Sequence, residues 1–283
     1  MDTPPDVWVG HPFAKMTGSG NDFVLFDTLS RPLPETISHE VIRRICNRRN
    51  GIGADGIIVL SAGATVAATV SYYNADGSLG ELCGNATLCS TSWCVSHGYA
   101  AAASVQLATD SGLVSARHDG DPSILLPRVT EVSADWAPST VEPGERRLGF
   151  ARVGVPHVVA LVDQVDAVAV ERRGAALRRD VGLGAGGANA NFVSRDADGR
   201  WRLRTFERGV EAETLACGTG AVATAILLTS WGLVEVGSPV GLITRSGRTL
   251  LVELAGSAGD GWVPRLLGEG RVVFEGQIRS LVG

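Results

Sequence analysis

Short apolar runs that end on a polar residue recur along this chain, and their length and side chains predict strands. FVLFD (Phe23 to Asp27), GIIVLS (Gly56 to Ser61), TVSYYN (Thr69 to Asn74) and HVVALVD (His157 to Asp163) are rich in β-branched and aromatic residues. NFVSRDADGRWRLRTF (Asn191 to Phe206) reads as a hairpin turning at Asp196 to Gly199. Two longer segments, Gly84 to Ser96 and Gly218 to Trp231, predict helices. The second, GTGAVATAILLTSW, is apolar nearly all round and so belongs in a core. Gly98 and Gly232 stand where C-terminal caps belong.

These elements occur twice. Gly18 and Gly154 each open a turn, an apolar run follows, and Asp27 and Asp163 close it nine positions later. Cys83 lies 65 residues after Gly18, and Cys217 lies 63 after Gly154. From each cysteine to its capping glycine, Gly98 or Gly232, is 15 residues. A Ser-Gly turn follows in each half, at Ser111-Gly112 and Ser246-Gly247. Landmarks in one order at matched spacing predict a duplicated unit. The expected fold is α/β, more closely α+β: two pseudo-symmetric domains, each a mixed sheet around a central helix, with a cleft between them. The expected bounds are 1–130 and 131–269, with a terminal strand at about 270–283 returning to the first domain.

Composition narrows the function. Hydrophobic residues at 45% and charged residues at 19% are those of a folded chain rather than a disordered one. The formal charge of −5 argues against a nucleic-acid or anionic-membrane surface. No apolar run approaches the ~20 residues of a membrane helix. MDTPPDVWVGHPF carries Asp2 and Asp6 and lacks a signal-peptide pattern, so it reads as a short extension before the first strand. Five cysteines, an odd number without a leader, argue for a reducing cytoplasm and against a disulfide framework. The cysteines and the five histidines show no metal-ligand spacing, so no metal is expected.

Candidate chemistry centres on Cys83 and Cys217, each at a predicted helix start and each followed by glycine. Unpaired N–H groups and the helix dipole favour a thiolate there and can also hold a carboxylate. A single such thiol suggests a nucleophile or redox group. Two related by duplication suggest a base and an acid acting on opposite faces of one carbon, with amide dipoles stabilising the developing charge. Cys46, Cys89 and Cys94 read as small core residues.

The chain resembles the diaminopimelate epimerase family, cofactor-independent amino-acid epimerases of the proline-racemase-like fold. GSGNDF (Gly18 to Phe23), GIGADG (Gly51 to Gly56), NADGS (Asn74 to Ser78), CGNA (Cys83 to Ala86), Pro156-His157, NANFV (Asn189 to Val193), ERGVEAETLACGTGA (Glu207 to Ala221) and FEGQI (Phe274 to Ile278) carry the resemblance. It implies that Cys83 and Cys217 are the two bases, that no cofactor takes part, and that LL-diaminopimelate is converted to the meso form for lysine and peptidoglycan precursors. It implies substrate contacts at Asn21, Asn74, Gly84, Asn85, Asn189, Glu207, Arg208, Gly218 and Thr219, with His157 in support. Arg208 suits a carboxylate held bidentately and Glu207 suits an ammonium, so the expected partner is a small zwitterionic amino acid. A homodimer is compatible with this reading.

Three departures stand out. Val155 replaces the family's usual Asn, the segment from Arg208 to Cys217 is one residue longer, and no Arg follows the CGN turn. They leave open a relative acting on histidine or a specialised-metabolite amino acid. A thiol redox or acyl-transfer enzyme would need His157 as its base and leaves the duplication unexplained. Nucleotide binding at GIGADG or GLGAGG (Gly182 to Gly187) lacks the full glycine fingerprint and its strand-to-helix setting.

Overall fold

The computed structural model describes residues 7–80 and 83–281. Met1 to Asp6, including both aspartates of the expected extension, and the last two residues of the expected terminal strand lie outside them. The chain divides into two units. One takes the described residues up to Ile124 and from Glu269 onward; the other is Leu125–Gly268. The division falls a few residues before position 130 for a local reason. Leu126 donates its N–H to Pro264 O, and Val129 exchanges backbone hydrogen bonds with Trp262.

In the first unit β1 (Pro12–Gly18) and β2 (Asn21–Asp27) form an antiparallel hairpin. Helix α1 (His39–Cys46) leads to β3 (Gly56–Ser61), which runs parallel to β2, and β4 (Ala68–Asn74) returns antiparallel. After α2 (Gly84–Ser96) come β5 (Val105–Thr109), parallel to β4, and β6 (Gly112–Asp119), antiparallel to β5. The short β7 (Asp121–Leu125) leads out.

The second unit repeats this plan. Here β8 (Val132–Ser133) pairs with β9 (Glu145–Val153), and β9 forms a hairpin with β10 (Val155–Val162). Helix α3 (Val170–Arg178) leads to β11 (Asn189–Arg195), parallel to β10, and β12 (Trp201–Glu207) returns antiparallel. A small strand β13 (Ala212–Thr214) folds back on β12 before α4 (Gly218–Ser230). Then β14 (Val240–Ile243) runs parallel to β12, β15 (Thr249–Ser257) antiparallel to β14, and β16 (Gly261–Leu267) antiparallel to β15. The last strand, β17 (Arg271–Gln277), pairs antiparallel with β1, the place that β8 takes against β9. The sense of pairing therefore matches step by step in the two units.

Each sheet is covered on both faces, which is why its strands read as continuous apolar runs. Val24, Phe26, Ile57 and Val59 pack with Ile42 and Ile45 of α1. Their neighbours Phe23, Leu25, Ile58 and Leu60 point the other way and are also buried, on the side that α2 fills. In the second unit Val158, Ala160 and Phe192 pack with Val170 and Leu177 of α3, while α4 packs against β9, β10, β11 and β15. Thr219 and Ser230 are the exceptions to complete burial along α4. Gly98 and Gly232, at φ 75° and 73°, adopt the left-handed conformation that closes each central helix.

The N-terminal segment differs from a simple extension. Trp8 is 2% exposed and packs with His11 and Phe26 inside the core of the first unit. Among the described residues no helix is long and apolar enough to cross a membrane.

Candidate active site

Cys83 and Cys217 hold the same post in their own units. Each is the extended residue immediately before the central helix, at φ −100°, ψ 107° and φ −131°, ψ 111°. Gly84 and Asn85 follow Cys83, and Gly218 and Thr219 follow Cys217, as the first two residues of each helix. Their N–H groups have no partner within the helix and mark its positive end. The Cys217 sulfur accepts the N–H of Gly220 at 3.4 Å and lies 3.6 Å from Thr219 Oγ1. The Cys83 side chain makes no cap bond to its own helix, whereas its carbonyl accepts the N–H and the hydroxyl of Thr87. Cys83 lines a pocket with Tyr72, Gly80, Thr87, Thr109 and Asp110.

In the first unit Asn21 is the opening residue of β2, a strand position. Its Nδ2 donates to Asp55 Oδ2 at 3.2 Å, and its Oδ1 accepts from Asn85 Nδ2 at 2.5 Å. Asn85 is 2% exposed. The structure thus joins Asn21 to the helix that follows Cys83. Asn74 is the last residue of β4, and its side-chain hydrogen bond is local. Its Nδ2 donates to Ser78 Oγ at 3.0 Å, its N–H to Ser78 O, and its carbonyl accepts from Gly77 N–H.

In the second unit His157 on β10 stands opposite Asn189 on β11. Asn191 Nδ2 donates to Val158 O at 2.9 Å and lies 3.2 Å from His157 Nδ1, while Asn191 Oδ1 accepts from Thr205 Oγ1 at 3.0 Å. Asn189 Nδ2 lies 3.5 Å from His157 Nε2. Full burial, reinforced by the Arg208 charge, pulls the imidazole down to about 3. Asn189 Oδ1 accepts the Arg208 N–H at 2.7 Å, and Glu207 Oε1 accepts from Thr214 Oγ1 at 2.5 Å. Asn189, His157, Glu207 and Arg208 are thereby brought together at one end of the β10, β11 and β12 strands, one short hairpin before Cys217.

Comparison with known sequences now decides the family. Its sequence profile, described as Diaminopimelate epimerase, matches residues 13–126 and 149–257. The chain belongs to the diaminopimelate epimerase family. The diaminopimelate epimerase of Gemmatimonas aurantiaca is 51% identical over 278 residues, covering 95% of this chain and 99% of that protein. That of Aquifex aeolicus is 33% identical, covering 95% and 98%. Among solved structures, a PhzF-family phenazine biosynthesis protein from Bacillus anthracis superposes with a TM-score of 0.72 at 13% identity, covering 94% of this chain and 98% of that one. A hydroxyproline epimerase from Agrobacterium vitis gives 0.69 at 18%, covering 94% and 92%. At these identities the two structures speak for the fold alone.

The departures from the usual diaminopimelate epimerase pattern have definite places. The segment from Arg208 to Cys217 opens with the loop joining β12 to β13, residues 208–211, where Glu211 adopts φ 57°. Two arginines of the second unit pin it, Arg178 Nε at 3.0 Å and Arg179 Nη2 at 2.9 Å, and its carboxylate also accepts the Gly209 N–H. Val155 is the half-buried first residue of β10, paired with Val153 across the Gly154 turn. Ala86, Thr87 and Leu88, the residues after the Cys83-Gly84-Asn85 turn, are all buried in α2.

Sequence reasoning passed over Asp22, Asp55 and Asn191, although each lies inside a quoted motif. The signal available was a charged or amide residue inside an otherwise small or apolar run. Cys46 and Cys94 are pushed up to about 12 by burial, and burial raises Cys89 further from ionisation. All three are therefore neutral core thiols. Among the described residues no cluster of His, Cys, Asp and Glu is arranged to hold a metal ion.

Proposed function

We propose that this protein is an amino-acid epimerase that inverts the α-carbon of diaminopimelate with Cys83 and Cys217 as the two acid–base groups. The observation that carries the reading is the duplicated placement of a cysteine at the N-terminus of each unit's central helix. Relatives named diaminopimelate epimerase that match nearly the whole chain support the substrate.

One thiolate takes the α-proton, breaking C–H and forming S–H. The other thiol delivers its proton to the opposite face, breaking S–H and forming C–H. No electron leaves or enters, so the reaction is an isomerisation. Negative charge spreads from the α-carbon onto the substrate carboxylate as the proton departs. The N–H groups of Gly84 and Asn85, and of Gly218 and Thr219, are suited to stabilise it. Arg208 suits a carboxylate, Glu207 an ammonium, and Asn21, Asn74, Asn85 and Asn189 either group. A single-cysteine acyl-transfer enzyme would need His157 as general base. An imidazole buried and held at about 3 is a poor base at neutral pH, which weighs against that alternative.

Incubation in D₂O with a panel of diaminopimelate, histidine, ornithine, lysine and apolar amino acids tests the proposal. Deuterium should enter the α-position of diaminopimelate fastest, with inversion, and Cys83→Ala and Cys217→Ala should each abolish inversion. Full inversion by either variant removes the two-base reading, and faster exchange of another amino acid removes the substrate assignment.

A further inference from the structure

An ion cluster lies next to the Asn21 and Asn85 pair. Lys15, 8% exposed, donates to Asp22 Oδ2 at 2.6 Å and to the carbonyl of Gly53. Arg48 bridges two carboxylates, with Nη2 at 2.7 Å from Asp22 Oδ1 and 2.5 Å from Asp55 Oδ1. The backbone locks the carboxylates to each other as well. Asp22 N–H donates to Asp55 Oδ2 and Asp55 N–H to Asp22 Oδ1. Burial raises the Asp22 carboxyl, but Arg48 and Lys15 outweigh it and hold it at about 2.

The consequence lies in hydrogen-bond direction. A carboxylate accepts only, whereas an amide has a donating and an accepting end. Asn21 must therefore turn its NH₂ toward Asp55 Oδ2, which leaves its carbonyl oxygen for Asn85. Asn85 in turn must offer its own NH₂. The charge on Asp55 sets two successive amides, and the second belongs to the first turn of α2, two residues after Cys83. Close packing holds Asn85 from another side: a Cβ on Gly18 would come within 2.8 Å of the Asn85 carbonyl oxygen.

We propose that Asp55 is a positioning residue for Cys83, acting through Asn21 and Asn85 to keep the first turn of α2 aligned on the cysteine sulfur. The proposal deepens the two-base reading and rests on it. The second unit is built otherwise. His157 stands three residues after Gly154, as Asn21 does after Gly18, and its neighbour is the neutral amide of Asn191 rather than a carboxylate. Cys217 therefore serves as an internal control.

The test reads the thiols without substrate. Iodoacetamide alkylation of Cys83 and Cys217 is followed across pH by peptide mass analysis in the unmodified protein, Asp55→Asn, Asn21→Ala and the double variant, with melting curves alongside. Asn at 55 keeps the size but can donate as well as accept, so the direction of the amide chain is lost. Loss of one hydrogen bond's alignment should slow Cys83 alkylation at neutral pH by about two- to tenfold. Cys217 should be unchanged, and the double variant should be no slower than Asn21→Ala. Removing a negative charge would by Coulomb's law alone make Cys83 ionise more readily, the opposite sign. Unchanged or faster Cys83 alkylation, equal slowing at Cys217, or additive effects in the double variant would each overturn the proposal. Alkylation is independent of which amino acid is turned over, so a wrong substrate assignment leaves this result standing.

Discussion

The N–H of Gly220, in the first turn of α4, points at the sulfur of Cys217, 3.4 Å away. The same glycine lies against Asn191, and a Cβ built on it would stand 2.3 Å from Asn191 Oδ1 and 3.2 Å from the sulfur. Position 220 is thus limited to glycine by both the amide behind the helix and the thiol at its tip.

Gly220→Ala should therefore cost about 1–3 kcal/mol of stability, the usual range for overpacking a filled site. Urea unfolding measures it. Turnover should fall in the same variant, because the first turn must shift relative to the sulfur. An Ala variant with unchanged midpoint and rate would contradict this packing.

His157 predicts acid sensitivity. Its folded-state value of about 3 lies below the ordinary 6.5, so the unfolded chain binds the proton more readily. Its contribution is fully present above pH 6.5 and is lost as pH falls from there toward 3. At most one proton is involved, a slope of about 1.4 kcal/mol per pH unit. Unfolding free energies between pH 4 and 6 should show this slope in the unmodified protein and a shallower one in His157→Gln.

The β12 to β13 loop separates two effects at one residue. Glu211 is in the left-handed region and is tied to Arg178 and Arg179. Glu211→Ala loses the ion pairs and keeps the strain, whereas Glu211→Gly loses the ion pairs and relieves it. Both should raise the substrate KM, since the loop begins at Arg208 and follows directly on Glu207. The Gly variant should be the more stable by about 1 kcal/mol. Equal melting temperatures for the two would show that the conformation at 211 costs nothing.

Val155 tests distal recognition. An Asn there would restore a donor and an acceptor, and one hydrogen bond to a charged group contributes about 1.5–3 kcal/mol. Val155→Asn should improve kcat/KM for diaminopimelate by one to two decades. An unchanged value would remove position 155 from substrate choice.

Thiol labelling in the native state should stop short of three cysteines. Cys46, Cys89 and Cys94 are buried and held protonated, so iodoacetamide at pH 8 should leave them unmodified until denaturant is added. Labelling of any of them at the rate of Cys83 would show that its site opens in the native protein.

Much of this molecule was legible as a line of letters. The strands at Gly56–Ser61 and His157, the two central helices and their glycine caps are local patterns, because burial on both faces demands unbroken apolar runs. The duplication was legible for a similar reason: spacing between landmarks survives in one dimension, and with it the equivalence of Cys83 and Cys217. Helices α1 and α3 escaped notice, being eight and nine residues long with largely polar surfaces.

What only the tertiary structure decided are relationships between residues far apart in the chain. Asn21 and Asn74 are both terminal residues of a strand, yet one reaches Asp55 and Asn85, 34 and 64 residues away, and the other is bound to Ser78 four residues on. Trp8 reads as part of a tail until Phe26 and His11 close around it. An amide or carboxylate has the same letter whatever it meets, and its partner is set by which strands lie side by side. Sequence therefore determined the long apolar elements and the duplicated thiols, while packing determined which polar groups orient them.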